Sequence, residues 1–164
     1  MYNPLSKSAR HIIQLARQEG QRFEHPYVST GHLLLGLLKD SNNLGYKILQ
    51  EQGFNLRIGR EELEKLDPTG PTMVTMGRVP GTRDAQNALD CAHISSLFYQ
   101  VPEIQPEDLF SGLLTVPNST CQNMLLSGGL NIPQLRSDLL QRRGGLDTQL
   151  NTTSVAYIQN HSFF

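Results

Sequence analysis

The residues of this 164-residue chain whose types could do chemistry are five histidines, two cysteines and a few serines next to glycines. Their spacing does not organise them into a reactive set. His11, His25, His32, His93 and His161 show no His-Glu-x-x-His or comparable metal-ligand pattern. His32 lies inside a run of leucines and reads as a satisfied core histidine. Ser111-Gly112 lacks the preceding glycine of a nucleophile elbow. The stretch from Gly77 to Arg83 has the glycines of a phosphate loop but no lysine. Cys91 and Cys121 fall in or near helical patterns and read as buried thiols of a reducing compartment. No metal or cofactor is implied, and the chain is expected not to be an enzyme.

The elements that must carry these residues centre on Thr30 to Leu38, which packs five leucines into nine residues behind Ser29-Thr30. That composition predicts a short helix buried on all sides, far below the roughly 20 apolar residues a membrane span needs. Hydrophobic residues make up 38% and charged residues 18%, as in an ordinary globular domain. The net charge of −1 does not favour a nucleic-acid partner, which calls for a basic face. The N-terminus has neither the basic start nor the apolar run of a secretory signal.

Along the chain, Ser6 caps a predicted helix to about Arg22, with Ala9, Ile12, Ile13 and Ala16 on one face. The leucine helix follows, then a helix from about Leu44 to Gln52 that stops at Gly53. Phe54 is expected to fold back on Leu49 there. A fourth helix covers about Arg57 to Leu66. Residues 67–81 hold three prolines and three glycines and read as a linker. The pattern then restarts. Thr82 takes the place of Ser6, Pro102 that of Pro26, and Pro106 to Leu114 that of the leucine helix. Gly129-Leu130 repeats Gly53-Phe54. Laid over each other 76 positions apart, residues 6–66 and 82–142 share 13 identities in 61 positions without a gap. About 4 would arise by chance from ordinary residue frequencies. The fold class is therefore all-α: about eight helices, in two tandem four-helix repeats related by pseudo-twofold symmetry, within a domain of residues 1–143. Residues 144–164 are polar without a clear period and read as a flexible tail, whose Phe163-Phe164 could dock in a groove.

The block Thr30-Gly31-His32-Leu33-Leu34-Leu35-Gly36-Leu37, its weaker copy Pro106-Glu107-Asp108-Leu109-Phe110-Ser111-Gly112-Leu113, and the leading Ser6 and Thr82 resemble the N-terminal domain of the Clp family of AAA+ unfoldases, the ClpC branch above all. The resemblance covers about residues 5–142 and implies a double repeat that captures substrates and adaptor proteins. In some members it further implies a phosphoarginine site, with the block's glutamate on the guanidinium and the threonine before the first helix on the phosphate. Gly31 replaces that glutamate in the first copy. The candidate binding residues are therefore Thr82 and Glu107, which belong to the same copy, together with Ser6. Glu107 reads equally as a first-turn glutamate, and Thr82 as a plain cap.

No ATPase module follows the repeats in this sequence, so the chain looks like a freestanding Clp N-domain, similar to the ClpT accessory subunits of the plastid Clp protease. The expected partners are a Clp AAA+ unfoldase, the Clp protease core, or substrate and adaptor proteins, with no nucleic acid and no membrane. The expected compartment is the cytoplasm, with the plastid stroma as the alternative. The alternative function is a stand-alone module for phosphoarginine-bearing or unfolded segments.

Overall fold

A computed structural model describes residues 3–70 and 79–144. The tail, apart from Gly144, and the middle of the linker lie outside them. The described residues form eight helices and no strand: α1 (Lys7–Arg22), α2 (Thr30–Lys39), α3 (Leu44–Glu51), α4 (Leu56–Leu66), α5 (Arg83–Phe98), α6 (Pro106–Thr115), α7 (Thr120–Ser127) and α8 (Ile132–Gly144).

Local chemistry sets the helix ends, and it does so twice. Ser6 Oγ accepts the Ala9 N–H at 3.1 Å, and Thr82 Oγ accepts that of Ala85 at 3.3 Å. Each satisfies one of the orphan donors of a first turn. After α3 and α7, Gly53 and Gly129 take φ of +78° and +83°. Phe54 N–H then reaches the Leu49 carbonyl at 2.9 Å and Leu130 N–H the Leu125 carbonyl at 3.0 Å, closing both helices as the glycine pattern predicts. Glu24 and Gln100, 76 positions apart, both adopt φ of 55° to turn the chain after α1 and α5. These two left-handed residues carry no glycine signal in the sequence.

Every residue of α2 except Lys39 is buried. With α6 it forms the centre, carrying Leu34, Leu35, Leu37, Phe110, Leu113 and Leu114 at almost no exposure. Gly36 lets α2 press against α1: a Cβ there would stand 2.5 Å from the Ile12 carbonyl oxygen. At Gly112 it would come closer still to the carbonyl oxygen of Ala88, the residue equivalent to Ile12. The glycine of each block is thus a packing requirement. Ile12, Leu33, Leu37, Ala88, Leu89, Leu109 and Leu113 meet around a crevice of about 10 Å³, lined by three symmetric pairs from both repeats together with Leu89.

The repeats are also tied by exchange. The segment leading into α1 pairs with the one leading into α6, through Ser6 N–H to the Ile104 carbonyl (3.0 Å) and Ile104 N–H to Pro4 (2.8 Å). The segment leading into α5 pairs with the one leading into α2, through Thr82 N–H to Val28 (2.9 Å) and Val28 N–H to Pro80 (2.9 Å). Each repeat therefore delivers its first cap to the other repeat's central helix.

Candidate functional site

That exchange creates two corners. In the first, Ser6 arrives beside Ile104, three residues ahead of Glu107 in the first turn of α6. Glu107 is half-buried, and its Oε1 accepts the Leu44 N–H at a long 3.4 Å. Its carboxylate thus lies at the start of α3 as well as in the first turn of α6, where both helix dipoles favour an anion. The Ser6 hydroxyl, already an acceptor from Ala9, has no acceptor of its own among the described residues. This corner holds an anchored carboxylate, and the buried Ser6 hydroxyl beside Ile104 has a hydrogen still to give.

In the second corner, Thr82 arrives beside Val28, ahead of α2. Its hydroxyl donates to Asp84, whose other carboxylate oxygen accepts from the Thr30 hydroxyl at 3.1 Å and from the Thr120 N–H at 3.4 Å. Thr30 Oγ in turn accepts the Cys121 N–H at 3.0 Å. Thr120 starts α7 as Leu44 starts α3, so Asp84 stands on the second helix start as Glu107 stands on the first. The space a glutamate at position 31 would need is taken: a Cβ on Gly31 meets Leu63 at 2.9 Å, Thr120 at 3.0 Å and Met124 at 3.1 Å. The second corner is filled by its own chain.

The structure therefore does not group Thr82 with Glu107, the two candidates expected together because they share a copy. Because the leading segments are exchanged, Thr82 belongs with the start of α2, and Ser6 with the start of α6. Asp84, Thr30 and the helix-start amides of Leu44 and Thr120 were not singled out from sequence. The one available signal was the Thr82-Arg83-Asp84 spacing, an N-cap with an acid in the first turn.

The buried polar groups differ between the repeats as well. In the first, Glu19 is buried at 1% exposure and bound by Arg60 (2.6 and 3.2 Å) and Lys39 (3.3 Å). Burial pushes its carboxyl up, but the hydrogen bonds and charges of Arg60 and Lys39 outweigh that and hold it below the usual range. Beside it, His32 Nδ1 accepts the Ser29 N–H at 2.9 Å, and its Nε2 meets His25 Nδ1 at 2.9 Å. His25 Nε2 reaches the Pro68 carbonyl at 3.0 Å. Only one arrangement of two neutral rings satisfies all three contacts: each carries its hydrogen on Nε2, His32 donates to His25, and His25 donates to Pro68. Burial first, and His25 second, lower His32 to a pKa of about 4. In the second repeat, position 108 is Asp108, fully buried. It binds Arg143 at 2.6 Å, Ser95 Oγ at 2.6 Å and the Gln105 N–H at 2.8 Å. The Arg143 guanidinium also lies 3.9 Å over the Tyr99 ring.

Burial raises the Cys91 thiol to about 11 and that of Cys121 further, so neither supplies a thiolate at neutral pH. Among the described residues no group of three or more histidines, cysteines or carboxylates is placed to hold a metal, and no helix is long and apolar enough to cross a membrane.

A model of the family described as Clp repeat (R) N-terminal domain matches residues 4–97, more than half of the sequence, and the chain belongs to that family. The Clp N-domain is a non-catalytic domain. The chain is similar to a probable ATP-dependent Clp protease ATP-binding subunit of Chlamydia pneumoniae, 26% identical over 94% of this chain and 18% of that protein. It is also similar to the chloroplastic chaperone protein ClpC of Pisum sativum, 27% identical over 88% of this chain and 16% of the relative. The chain thus spans less than a fifth of these relatives. In fold it matches the N-terminal domain of the chaperone ClpD of Arabidopsis thaliana, with a TM-score of 0.72 at 20% identity, covering 87% of this chain and 96% of that one. It matches the Hsp104 N-terminal domain of Candida albicans with a TM-score of 0.72 at 12% identity, covering 90% and 99%.

Proposed function

We propose that this chain is a non-enzymatic accessory or adaptor module of a Clp-type chaperone–protease, binding Clp subunits, adaptors or substrates through its surface. Family membership supports the Clp context. The observation that carries the binding reading is the contrast between corners. The second corner satisfies its own hydroxyls and helix starts with Asp84, whereas the first offers the Glu107 carboxylate and the Ser6 hydroxyl. A carboxylate takes a guanidinium through charge-assisted hydrogen bonds, and a hydroxyl gives one to a phosphoryl or carbonyl oxygen. Such a module would work where Clp proteases work, in the cytoplasm or, as for the chloroplastic relatives, in the plastid stroma.

Affinity purification at native salt is expected to enrich Clp subunits; recovery of none would sink the Clp role. The alternative, a stand-alone module for phosphoarginine-bearing or unfolded segments, rests on the same open corner. Calorimetry with phosphoarginine peptides is expected to show binding that Glu107→Ala weakens at least about tenfold, the weight of one lost charged hydrogen-bond pair. Thr82→Val, in the filled corner, is expected to leave the binding heat unchanged. An unchanged heat with Glu107→Ala would remove Glu107 as a ligand.

A further inference from the structure

Helix α1 carries a cationic stripe that neither the fold nor the two corners use. Lys7, Arg10, Arg17 and Arg22 lie on its outer side, separated by Gln14, Gln18 and Gln21. None of the four makes an ion pair among the described residues. The one carboxylate of the helix, Glu19, is buried and spent on Arg60 and Lys39. At 1.5 Å per residue the stripe runs about 22 Å. Its last member, Arg22, opens into a cleft of about 420 Å³ with Phe23, Arg60, Lys65 and Thr69 on its walls. The cleft's carboxylates, Glu61 and Glu64, are engaged by Arg57 and Thr69.

The duplication supplies an internal control. Helix α5 has the same length, the same packing against its partner and an equivalent cap. Yet Gln86 stands at the position of Arg10, His93 at that of Arg17, Phe98 at that of Arg22, and Asp90 at that of Gln14. Lys7 alone has a cationic counterpart, Arg83, so the fold is built without the other three cations. Two of the four even work against the helix, because Lys7 sits in a first turn that holds no acid, and Lys7 and Arg10 repel each other one turn apart; only Arg22, in the last turn, suits the helix dipole.

We infer that the outer face of α1 is a docking surface for an acidic protein segment, a helix or extended stretch presenting carboxylates along about 20 Å. A polypeptide fits better than the other polyanions. The face offers no exposed Phe, Tyr or Trp for base stacking, and the chain outside α1 carries a net charge of about −4 that disfavours an extended nucleic acid. It also offers no exposed apolar residue for a lipid surface, only glutamines and His11 between the cations.

The test is NMR titration of the full chain, at low ionic strength, with poly-L-glutamate of about 20 residues, a thymidine 20-mer, and phosphatidylserine vesicles. Poly-L-glutamate is expected to shift amides of residues 7–22, with an affinity that falls with salt and drops at least about tenfold in R10E/R17E. Q86E, which adds a negative charge to α5 at the position equivalent to Arg10, is expected to keep that affinity, as is E107A. The R10E/R17E and Q86E variants are checked for native helicity by circular dichroism. Absence of shifts in α1, retained affinity in R10E/R17E, or equal binding of the oligonucleotide or the vesicles at α1 would overturn the inference. The inference extends the recognition-module reading to a partner class, yet the two fail separately: loss here with E107A-sensitive phosphoarginine binding intact removes only the stripe.

Discussion

The two repeats reach the same backbone with different buried electrostatics, and the difference shows which polar groups the fold needs and which it merely accommodates. The shared features are steric: paired caps, paired left-handed turns, and paired glycines where α1 meets α2 and α5 meets α6. The two fully buried carboxylates do not pair. The first repeat buries an anion on α1, Glu19, held by two cations, and leaves position 32 to a neutral histidine. The second puts its anion at position 108 on α6 and places Ser95 where Glu19 stood. Each repeat thus contains one buried carboxylate near the junction of its first two helices, reached by a different route.

That contrast gives the largest expected effect. Asp108 has a single cationic partner, Arg143, itself 10% exposed at the side chain. Arg143→Met leaves a fully buried carboxylate without its counter-charge, a loss of about 3–5 kcal/mol. In the first repeat, Arg60→Met leaves Glu19 with Lys39, and the expected cost is about half as large. Urea midpoints of the two variants against the parent measure this. Equal losses would show that the two-cation cluster around Glu19 acts as one unit.

The histidine pair gives the next effect, in the first repeat alone. Folded His32 titrates at about 4, against an ordinary 6.5 when unfolded. Between those values the unfolded chain binds a proton that the folded chain refuses, so stability rises with pH across this window. Its contribution is fully present above pH 6.5 and is lost as the pH falls towards 4, by about 3 kcal/mol in total. Geometry gives the same sign, since the second hydrogen of a charged His32 goes to Nδ1 and sets N–H against the Ser29 N–H across 2.9 Å. Urea unfolding at pH 7, 5.5 and 4.5 should show the decline, and His32→Gln should flatten it. A parent curve flat over that range would break the tautomer assignment.

The fold was legible because its signals are local and occur twice. The caps, the glycine stops and the leucine block each announce themselves within a few residues, and the constant offset of 76 positions excludes most other topologies. The candidate site was less legible, because its grouping depends on which strand-like segment crosses to which helix. Ser6 and Glu107 are about 100 residues apart and belong to different copies, so a reading copy by copy joins Thr82 to Glu107 instead. Asp84 was hidden for another reason. An acid in a first turn has a sufficient local explanation, and nothing in the sequence shows that its carboxylate also closes on Thr30 and Thr120.

Asp84 therefore carries the finest test of the two corners, with the smallest effect. Asp84→Ala removes the acceptor of two hydroxyls and leaves the α7 start without its anion, while water can reach the half-exposed site. The expected loss is about 1 kcal/mol, close to that of a helix cap. At the other corner, Glu107→Ala gives up one long hydrogen bond at 3.4 Å and should cost only a few tenths of that. Calorimetric melting resolves the two, since about 1 kcal/mol moves the midpoint by 2–4 °C in a chain of this size. A Glu107 variant as destabilised as the Asp84 variant would mean that both carboxylates are structural. The first corner would then be as fully engaged by its own chain as the second, with nothing left to offer a ligand.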